Sequence, residues 1–220
     1  TREDRIDYGA LTTPDPVLLH KILQELCDEG ITHLAMEASS HGLDQKRLDG
    51  VQLTAAAFTN LGHDHLDYHG TRDAYLTAKM RLFDVLLSAG SKAVINADCD
   101  DAEAVTAVAK KRGLDILSVG RKGQTLSLKA ATRNGFDQQL TLSFAGQTHD
   151  IYLPLAGEFQ ISNALVSAGL ALATGVSFEH VLEALSSLKG VRGRLERVGV
   201  HNGGLVIIDY APKPDALKAA

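Results

Sequence analysis

The chain has 220 residues, of which 45% are hydrophobic and 22% charged, values typical of a folded globular protein and not of a disordered one. A formal net charge of −5 without a basic stripe disfavours nucleic acid as a partner. With no apolar run long enough for a membrane span and no signal peptide at TREDRIDYG, we expect a cytoplasmic protein without membrane partners, whose Cys27 and Cys99 are reduced and buried.

The first half of the chain alternates helices with strands. Apolar spacing predicts a helix over residues 16–30, which ends at Gly30, and a short strand over residues 32–37. A nearly continuous apolar run predicts a buried strand over residues 51–60. A long helix over 72–90, a strand over 91–98, a helix over 101–113 and a strand over 114–120 follow. This alternation is typical of βαβ units and predicts a parallel sheet.

The pattern changes after Arg121. Three shorter β-like runs, joined by Asn-Gly and Ala-Gly turns, predict an antiparallel patch over residues 125–156. Two helices are predicted next, over residues 160–175 and 177–190. A new unit follows the linker-like VRGR, and we place a domain boundary between Arg197 and Val198.

A first cluster of polar residues lies in MEASSHGLDQKR, residues 36–47. The strand predicted to end at Glu37 matters because ligands of open parallel sheets bind at the carboxyl ends of strands. Glu37 could hold Mg²⁺ there, the hydroxyls of Ser39 and Ser40 could bond phosphate or substrate oxygens, and Arg47 could grip a carboxylate or a phosphate with two hydrogen bonds. Taken alone, the segment favours a surface helix that is capped by a serine and carries solvated charges.

A second cluster, FTNLGHDHLDYHG at residues 58–70, directly follows an apolar strand. Its three histidines and two aspartates between His63 and His69 suit Mg²⁺, Mn²⁺ or Zn²⁺. A loop of satisfied surface histidines is one alternative. Another is a zinc hydrolase of the metallo-β-lactamase type, whose H-x-H-x-D-H pattern HDHLDYH approaches; however, Tyr68 stands where the last histidine should be.

Single residues elsewhere give weaker signals. Lys79 lies on an apolar helical stretch, where a lysine usually snorkels to solvent but is neutral and reactive if burial lowers its pKa. The remaining positions fit capping or solvated surface roles as well as ligand contacts: Thr12 and Thr13 before a proline-marked helix start, Gln160 and Asn163 on one helix face, Arg194 in GRLE, and Asp209 at a strand end.

Together these motifs resemble the Mur ligase family, most closely its MurE type. The matching segments follow the family's order along nearly the whole chain: TTPDP, MEASSHGLDQKR, FTNLGHDHLDYHG, TAK, GEFQISN, GRLE and DYAPKPDAL. The resemblance implies an α/β fold, with a Rossmann-like central ATP-binding domain over residues 1–197 and the start of a C-terminal α/β domain over residues 198–220. Nearest rivals within the family are MurF-type ligases and folylpolyglutamate synthetase, which combine SSHGL-x-Q-x-R with DHLDYHG less closely.

The resemblance also implies a reaction and its residues. A UDP-N-acetylmuramoyl-dipeptide carboxylate takes the γ-phosphate of ATP to give an acyl phosphate, and the amine of diaminopimelate or lysine then displaces phosphate, with Mg²⁺ as cofactor. The catalytic and metal-holding residues would be Glu37, His65 and Lys79, the last as a carbamate. The residues that contact the dipeptide substrate would be Thr12, Thr13, Ser39, Gln45 and Arg47. Those that serve ATP would be Asn60, Gln160, Asn163, Arg194 and Asp209.

The chain departs from the family pattern at three points. It has no G-x-x-G-K-[ST] phosphate loop, which we expect upstream of Thr1, and it lacks the DNPR-type motif that selects the amino acid. Pro212 also replaces the histidine of the family's DYAH. We therefore expect a fragment of a monomeric enzyme, inactive by itself, with a non-catalytic binding module as the alternative. The motifs do not distinguish diaminopimelate from lysine.

Overall fold

The structure is a computed structural model that describes residues 11–62, 64–211 and 217. Its helices are α1 (Pro16–Asp28), α2 (Ser40–Asp44), α3 (Leu66–His69), α4 (Arg72–Arg81) with a π-helical turn at Leu82–Leu86, α5 (Ala102–Lys111), α6 (Glu158–Ala173) and α7 (Phe178–Ser186). Its strands are β1 (Ala55–Phe58), β2 (Lys92–Asn96), β3 (Asp115–Gly120), β4 (Leu126–Asn134), β5 (Asp137–Phe144), β6 (Gln147–Leu153), β7 (Glu196–His201) and β8 (Gly204–Ile208).

The main sheet of the described residues joins six strands in the order β1-β2-β3-β4-β5-β6. The pairs from β1 to β4 are parallel, whereas β4, β5 and β6 pair in antiparallel fashion. The predicted α/β fold with a parallel sheet and an antiparallel patch is thus confirmed. In the β5–β6 turn, Ala145 and Gly146 have φ of 48° and 80°, the left-handed conformation that a tight hairpin of the primed type needs.

Helices cover both faces of the parallel part of the sheet. Along β2, Val94 joins the core under α6 and α7, whereas Ala93 and Ile95 face the core formed with α5 and the π-helical turn. This alternation follows from the period of two in a strand, and burial on both faces explains why the centre of β2, from Ala93 to Ile95, is apolar. Close packing of α6 depends on Gly169, where a Cβ would lie 2.6 Å from Val94 Cγ1.

Two predicted elements and one burial class differ from the structure. The strand predicted over residues 32–37 is wrong, since residues 31–39 have no regular secondary structure. An apolar pattern indicates burial, and Met36 and Ala38 do pack on the core, but a strand also needs a paired neighbour. The helix predicted over 72–90 is α-helical only to Arg81. Cys27 and Cys99 were both expected to be buried, but Cys27 is exposed and Cys99 is only half-buried; both are free thiols.

β7 and β8 form a separate two-stranded antiparallel sheet. The domain boundary predicted between Arg197 and Val198 falls inside β7. A boundary that keeps the whole strand in one domain would lie before Glu196. The division into domains stays a prediction, and Pro212 lies outside the described residues. Within the described part of the chain, we find no helix with the length and apolar character that crossing a membrane requires.

Candidate functional site

The first part of the candidate site is residues 36–49, here called the SSHGL turn. Ser39 caps α2, because its Oγ accepts the Gly42 N–H at 3.0 Å, as the capping interpretation predicted. The Thr13 hydroxyl lies 3.0 Å from the Glu37 carbonyl oxygen and 3.1 Å from Ser39 Oγ, and it accepts the Ser39 N–H at 2.9 Å. These bonds fix Thr13 and the start of the SSHGL turn as one unit.

The burial of these residues changes the expected role of Thr13. Its side chain is 0% exposed and its hydroxyl is already bonded within the protein, so Thr13 holds the turn in place and does not face a ligand in this structure. Thr12 is exposed. Ser40 is 3% exposed, and its Oγ has no hydrogen-bond partner among the described residues. A buried hydroxyl without a partner costs free energy, which makes Ser40 a candidate contact for a ligand atom.

The structure brings Gln45 and Arg47 together, as their predicted shared role requires. Arg47 Nε and Nη2 donate to Gln45 Oε1 at 3.0 and 2.5 Å, and Arg47 Nη1 donates to the Thr13 carbonyl at 2.8 Å. A guanidinium has five N–H donors, so two remain without a partner among the described residues. Arg47 is half-buried, and this remaining pair of donors suits a carboxylate or a phosphate.

The second part of the site is residues 59–62 and 64–71, here called the histidine segment; His63 of the predicted cluster lies outside the described residues. His65 has a φ of 56°, a left-handed conformation that is uncommon for residues other than glycine and that clusters at functional sites. Asp64 Oδ1 accepts the His65 N–H at 2.7 Å, and Asp64 Oδ2 lies 3.6 Å from His65 Nε2. The His41 and Tyr75 rings contact the His65 imidazole edge-on, with centroids 4.8 and 5.8 Å away.

Lys79 on α4 faces these two segments. It is half-buried, and its Nζ lies 5.5 Å from the centre of the Tyr75 ring. Burial lowers the pKa of Lys79, although the Glu37 and Asp64 carboxylates act in the opposite direction and favour its ammonium form. Asp64 is one of the two aspartates of the predicted metal-binding cluster, although the sequence predicted no separate role for it.

Arg81 fixes α4 against the SSHGL turn. Its Nη1 and Nη2 donate to the two carboxylate oxygens of Asp49 at 2.6 and 2.7 Å, and Nη1 also donates to the Leu43 carbonyl at 3.2 Å. The hydrogen bond with Arg81 lowers the pKa of Asp49. These bonds hold α4, which also carries Lys79, against the SSHGL turn.

The described residues, which do not include His63, contain no group of three or more His, Cys, Asp or Glu side chains placed to hold a metal. Mg²⁺ is usually bound by one or two carboxylates, with water and substrate phosphates completing its shell. Glu37 and Asp64 act electrostatically on Lys79 and supply such carboxylates. These two carboxylates are ligands of the kind that Mg²⁺ uses.

Most residues predicted for ATP also lie together. Gln160 is 8% exposed; its Nε2 lies 3.5 Å from the Arg194 carbonyl oxygen, and Asn163 Nδ2 lies 3.5 Å from Gln160 Oε1. Asp209 Oδ2 accepts the Leu195 N–H at 2.7 Å, next to Arg194. Asn60 is exposed just beyond the carboxyl end of β1. The structure thus groups four of the five residues around the start of α6 and the end of β8.

A cleft of 370 Å³ beside α6 has none of the predicted site residues in its lining. At this cleft the Asp98 carboxylate accepts the backbone N–H groups of Arg121 and Lys122 at 2.7 and 2.8 Å. Because those bonds already hold the β3–β4 turn, we assign Asp98 a structural role.

Comparison with known proteins gives consistent matches. The Mur ligase middle domain model matches residues 1–171. UDP-N-acetylmuramoyl-L-alanyl-D-glutamate–2,6-diaminopimelate ligase of Agrobacterium fabrum is 55% identical over 215 residues, which cover 97% of this chain and 44% of that protein. A solved structure of a ligase with this name superposes with a TM-score of 0.81 at 31% identity, over 94% of this chain and 42% of that one.

A more distant match is a crystal structure of MurF from Acinetobacter baumannii, with a TM-score of 0.69 and 27% identity over 77% of this chain and 36% of that one. In each case the chain spans less than half the length of its relative.

Proposed function

The chain belongs to the Mur ligase family, and from that premise we propose that the full-length protein is a cytoplasmic, ATP-dependent ligase of peptidoglycan precursor synthesis. It would add a diamino acid to UDP-N-acetylmuramoyl-L-alanyl-D-glutamate. The observation that carries this proposal is the 55% identity, over 97% of this chain, to a relative whose name states that substrate and 2,6-diaminopimelate. Family membership also removes the zinc-hydrolase alternative.

Arg47 would bind the dipeptide part of the substrate. Two of its N–H groups have no partner among the described residues, and the other three hold it against Gln45 and Thr13. A carboxylate that meets two such donors forms a charge-assisted, bidentate contact. Ser39 and Thr13 would shape the turn behind it, and the exposed Thr12 would reach the nucleotide-sugar.

Glu37, His65 and a carbamate on Lys79 would hold Mg²⁺, with Asp64 orienting His65. Lys79 lies close enough to the Glu37 and Asp64 carboxylates for their charges to act on it, and an ammonium group there would repel a cation. Burial favours the neutral amine, which adds to CO₂ by forming an N–C bond and releasing one proton. The product is an oxygen ligand of the kind that Mg²⁺ prefers. Bound Mg²⁺ would neutralise phosphate charge.

In the reaction, the substrate carboxylate oxygen forms a bond to the γ-phosphorus of ATP, and the bond from that phosphorus to ADP breaks. The amine of the diamino acid then attacks the acyl carbon, so that phosphate leaves and the amine loses a proton. Catalysis would consist mainly of positioning and charge neutralisation. The nucleotide would lie beside Asn60 and the group formed by Gln160, Asn163, Arg194 and Asp209.

The test is ligation by the purified full-length protein, read by product mass and phosphate release. We expect one phosphate per UDP-muramoyl-tripeptide when ATP, Mg²⁺ and the UDP-dipeptide are supplied with meso-diaminopimelate or with L-lysine. Comparison of the two amino acids identifies the natural one. Turnover only with a UDP-tripeptide and D-alanyl-D-alanine would assign the MurF-type activity instead. Folate-dependent glutamate addition would indicate a folylpolyglutamate synthetase, and no ATP-dependent phosphate release with any pair would leave a binding module.

A further inference from the structure

Tyr68 connects the histidine segment to the SSHGL turn. Its ring packs on His41 and His69, with centroids 4.1 and 4.8 Å away. Its hydroxyl lies 2.9 Å from Asp44 Oδ2 and 3.1 Å from Gln45 Nε2. These partners are 24 and 23 residues away in sequence, so this single side chain ties the histidine segment to the part of the SSHGL turn that carries Gln45 and Arg47.

The direction of these hydrogen bonds is set by the chemistry of the groups. An ionised carboxylate only accepts hydrogen bonds, so the single Tyr68 proton goes to Asp44. The Tyr68 oxygen must then accept from Gln45 Nε2, and this leaves Gln45 Oε1 facing Arg47. With the amide turned the other way, its NH₂ would meet the Arg47 donors and no bond would form. The hydrogen bonds thus run from the Arg47 guanidinium through Gln45 and Tyr68 to the Asp44 carboxylate. This chain fixes one orientation of the Gln45 side-chain amide.

We propose that Tyr68 is a positioning residue for the dipeptide substrate, an inference that rests on the function proposed above. Tyr68 sets the Gln45 amide, Gln45 sets the Arg47 guanidinium, and Arg47 keeps its two remaining N–H groups directed at the substrate. The Tyr68 hydroxyl acts on substrate binding, whereas the Tyr68 ring packs on His41 and on His69 of the histidine segment. The substrate-binding and metal-binding parts are in this way held in register by one residue.

Tyr68→Phe in the full-length protein separates these two roles, because it removes the hydroxyl and keeps the ring contacts. We expect the KM and the calorimetric Kd for UDP-N-acetylmuramoyl-L-alanyl-D-glutamate to rise about five- to tenfold, as for the net loss of about one hydrogen bond. The KM for ATP, the Mg²⁺ dependence and the Tm should stay close to the wild-type values. A residue that only stabilised the fold would lower the Tm without changing the substrate Kd selectively.

Tyr152→Phe is a matched control. Tyr152 is 42% exposed, as against 41% for Tyr68, and its hydroxyl also donates to a carboxylate, that of Asp137. It lies on β6, in the antiparallel part of the sheet. We expect this variant to keep the wild-type Kd and KM for the UDP-dipeptide. An equal rise in both variants would overturn the assignment, because loss of any exposed tyrosine hydroxyl would then account for it.

A double-mutant cycle tests the route through Gln45. If Tyr68 acts by orienting Gln45, removal of its hydroxyl should have no further effect on the Kd in a Gln45→Ala background. Fully additive effects, or an unchanged Kd in Tyr68→Phe, would refute the inference. The Kd needs no turnover, so a wild-type protein that binds the UDP-dipeptide but does not ligate it would sink the proposed function alone. A wild-type protein that does not bind it would sink both.

Discussion

Substitution of Gly42 by alanine probes the contact on which the SSHGL turn is built. Gly42 lies in α2, and a Cβ there would be 2.7 Å from Thr13 Cβ, 2.8 Å from Cγ2 and 2.9 Å from Oγ1. Real side chains do not approach so closely. Thr13 has no room to give way, because it is fully buried and its hydroxyl is bonded to the turn. The added methyl group must therefore push α2 away from Thr13.

Two effects of opposite sign decide the result. Helix propensity favours Gly42→Ala by about 1 kcal/mol. Overpacking of a tight contact costs about 1–3 kcal/mol, and weakening of the Thr13 bond to Ser39 costs about 1 kcal/mol more. The sum is a loss of stability of about 1–3 kcal/mol. Because α2 leads directly into Gln45 and Arg47, we also expect the KM for the UDP-dipeptide to rise.

The assay is urea denaturation of the full-length protein, together with the KM for the UDP-dipeptide. Gly199→Ala, in β7, is the control, since a Cβ at Gly199 would meet no atom within 4 Å and its φ is not left-handed. With no clash to oppose the gain in strand propensity, this variant should be as stable as the wild type or more stable by up to about 1 kcal/mol. A Gly42→Ala protein that is as stable as the wild type or more stable, with an unchanged KM, would refute the packing argument and leave helix propensity as the deciding effect.

Three further substitutions test the site. Arg47→Ala should raise the KM for the UDP-dipeptide about ten- to a hundredfold, the loss of a charge-assisted contact; an unchanged KM would indicate a solvated arginine. Lys79→Ala should abolish ligation, and added formate or acetate should restore part of the activity. Near-normal activity of this variant, together with no dependence on bicarbonate, would refute the carbamate hypothesis. Asp49→Asn should lower the free energy of unfolding by about 1 kcal/mol at neutral pH. Arg81 lowers the pKa of Asp49 in the folded state, so the stability difference between the wild type and Asp49→Asn is present above pH 3.8, the ordinary pKa of an aspartate. This difference should vanish as the pH falls further below 3.8, where Asp49 becomes protonated in the folded protein too. A stability difference that persists in acid would argue against the ion pair.

Elements governed by local pattern could be predicted from the sequence. The Asn-Gly and Ala-Gly turns predicted the hairpins of β4, β5 and β6, because positive φ is a local requirement of such turns. The apolar run over residues 51–60 predicted a buried strand, and the structure has β1 there with Ala56 and Phe58 buried. The strand predicted over residues 32–37 failed because pairing depends on a neighbour that local pattern does not specify. The π-helical turn after Arg81 likewise has no signal in apolar spacing.

The candidate site was predictable in its residue types but not in its contacts. Glu37, His65 and Lys79 could be singled out only through the resemblance to the Mur ligase family, and their roles stay predictions. The burial of Thr13 and the placement of Tyr68 against Gln45 could not, since both depend on partners more than twenty residues away. The sequence showed Tyr68 only as a departure from a zinc pattern, whereas its hydroxyl bonds to the SSHGL turn.

Transfer of an oxygen isotope tests the central claim most directly. The full-length protein would be given UDP-N-acetylmuramoyl-L-alanyl-D-glutamate with ¹⁸O in the reacting carboxylate, together with ATP, Mg²⁺ and the diamino acid. If the carboxylate takes the γ-phosphate and phosphate leaves when the amine attacks, each phosphate released must carry one oxygen from the substrate carboxylate. Mass spectrometry should therefore find one ¹⁸O in the inorganic phosphate for every peptide bond formed. Unlabelled phosphate, or phosphate released without a new peptide bond, would contradict the ligase assignment.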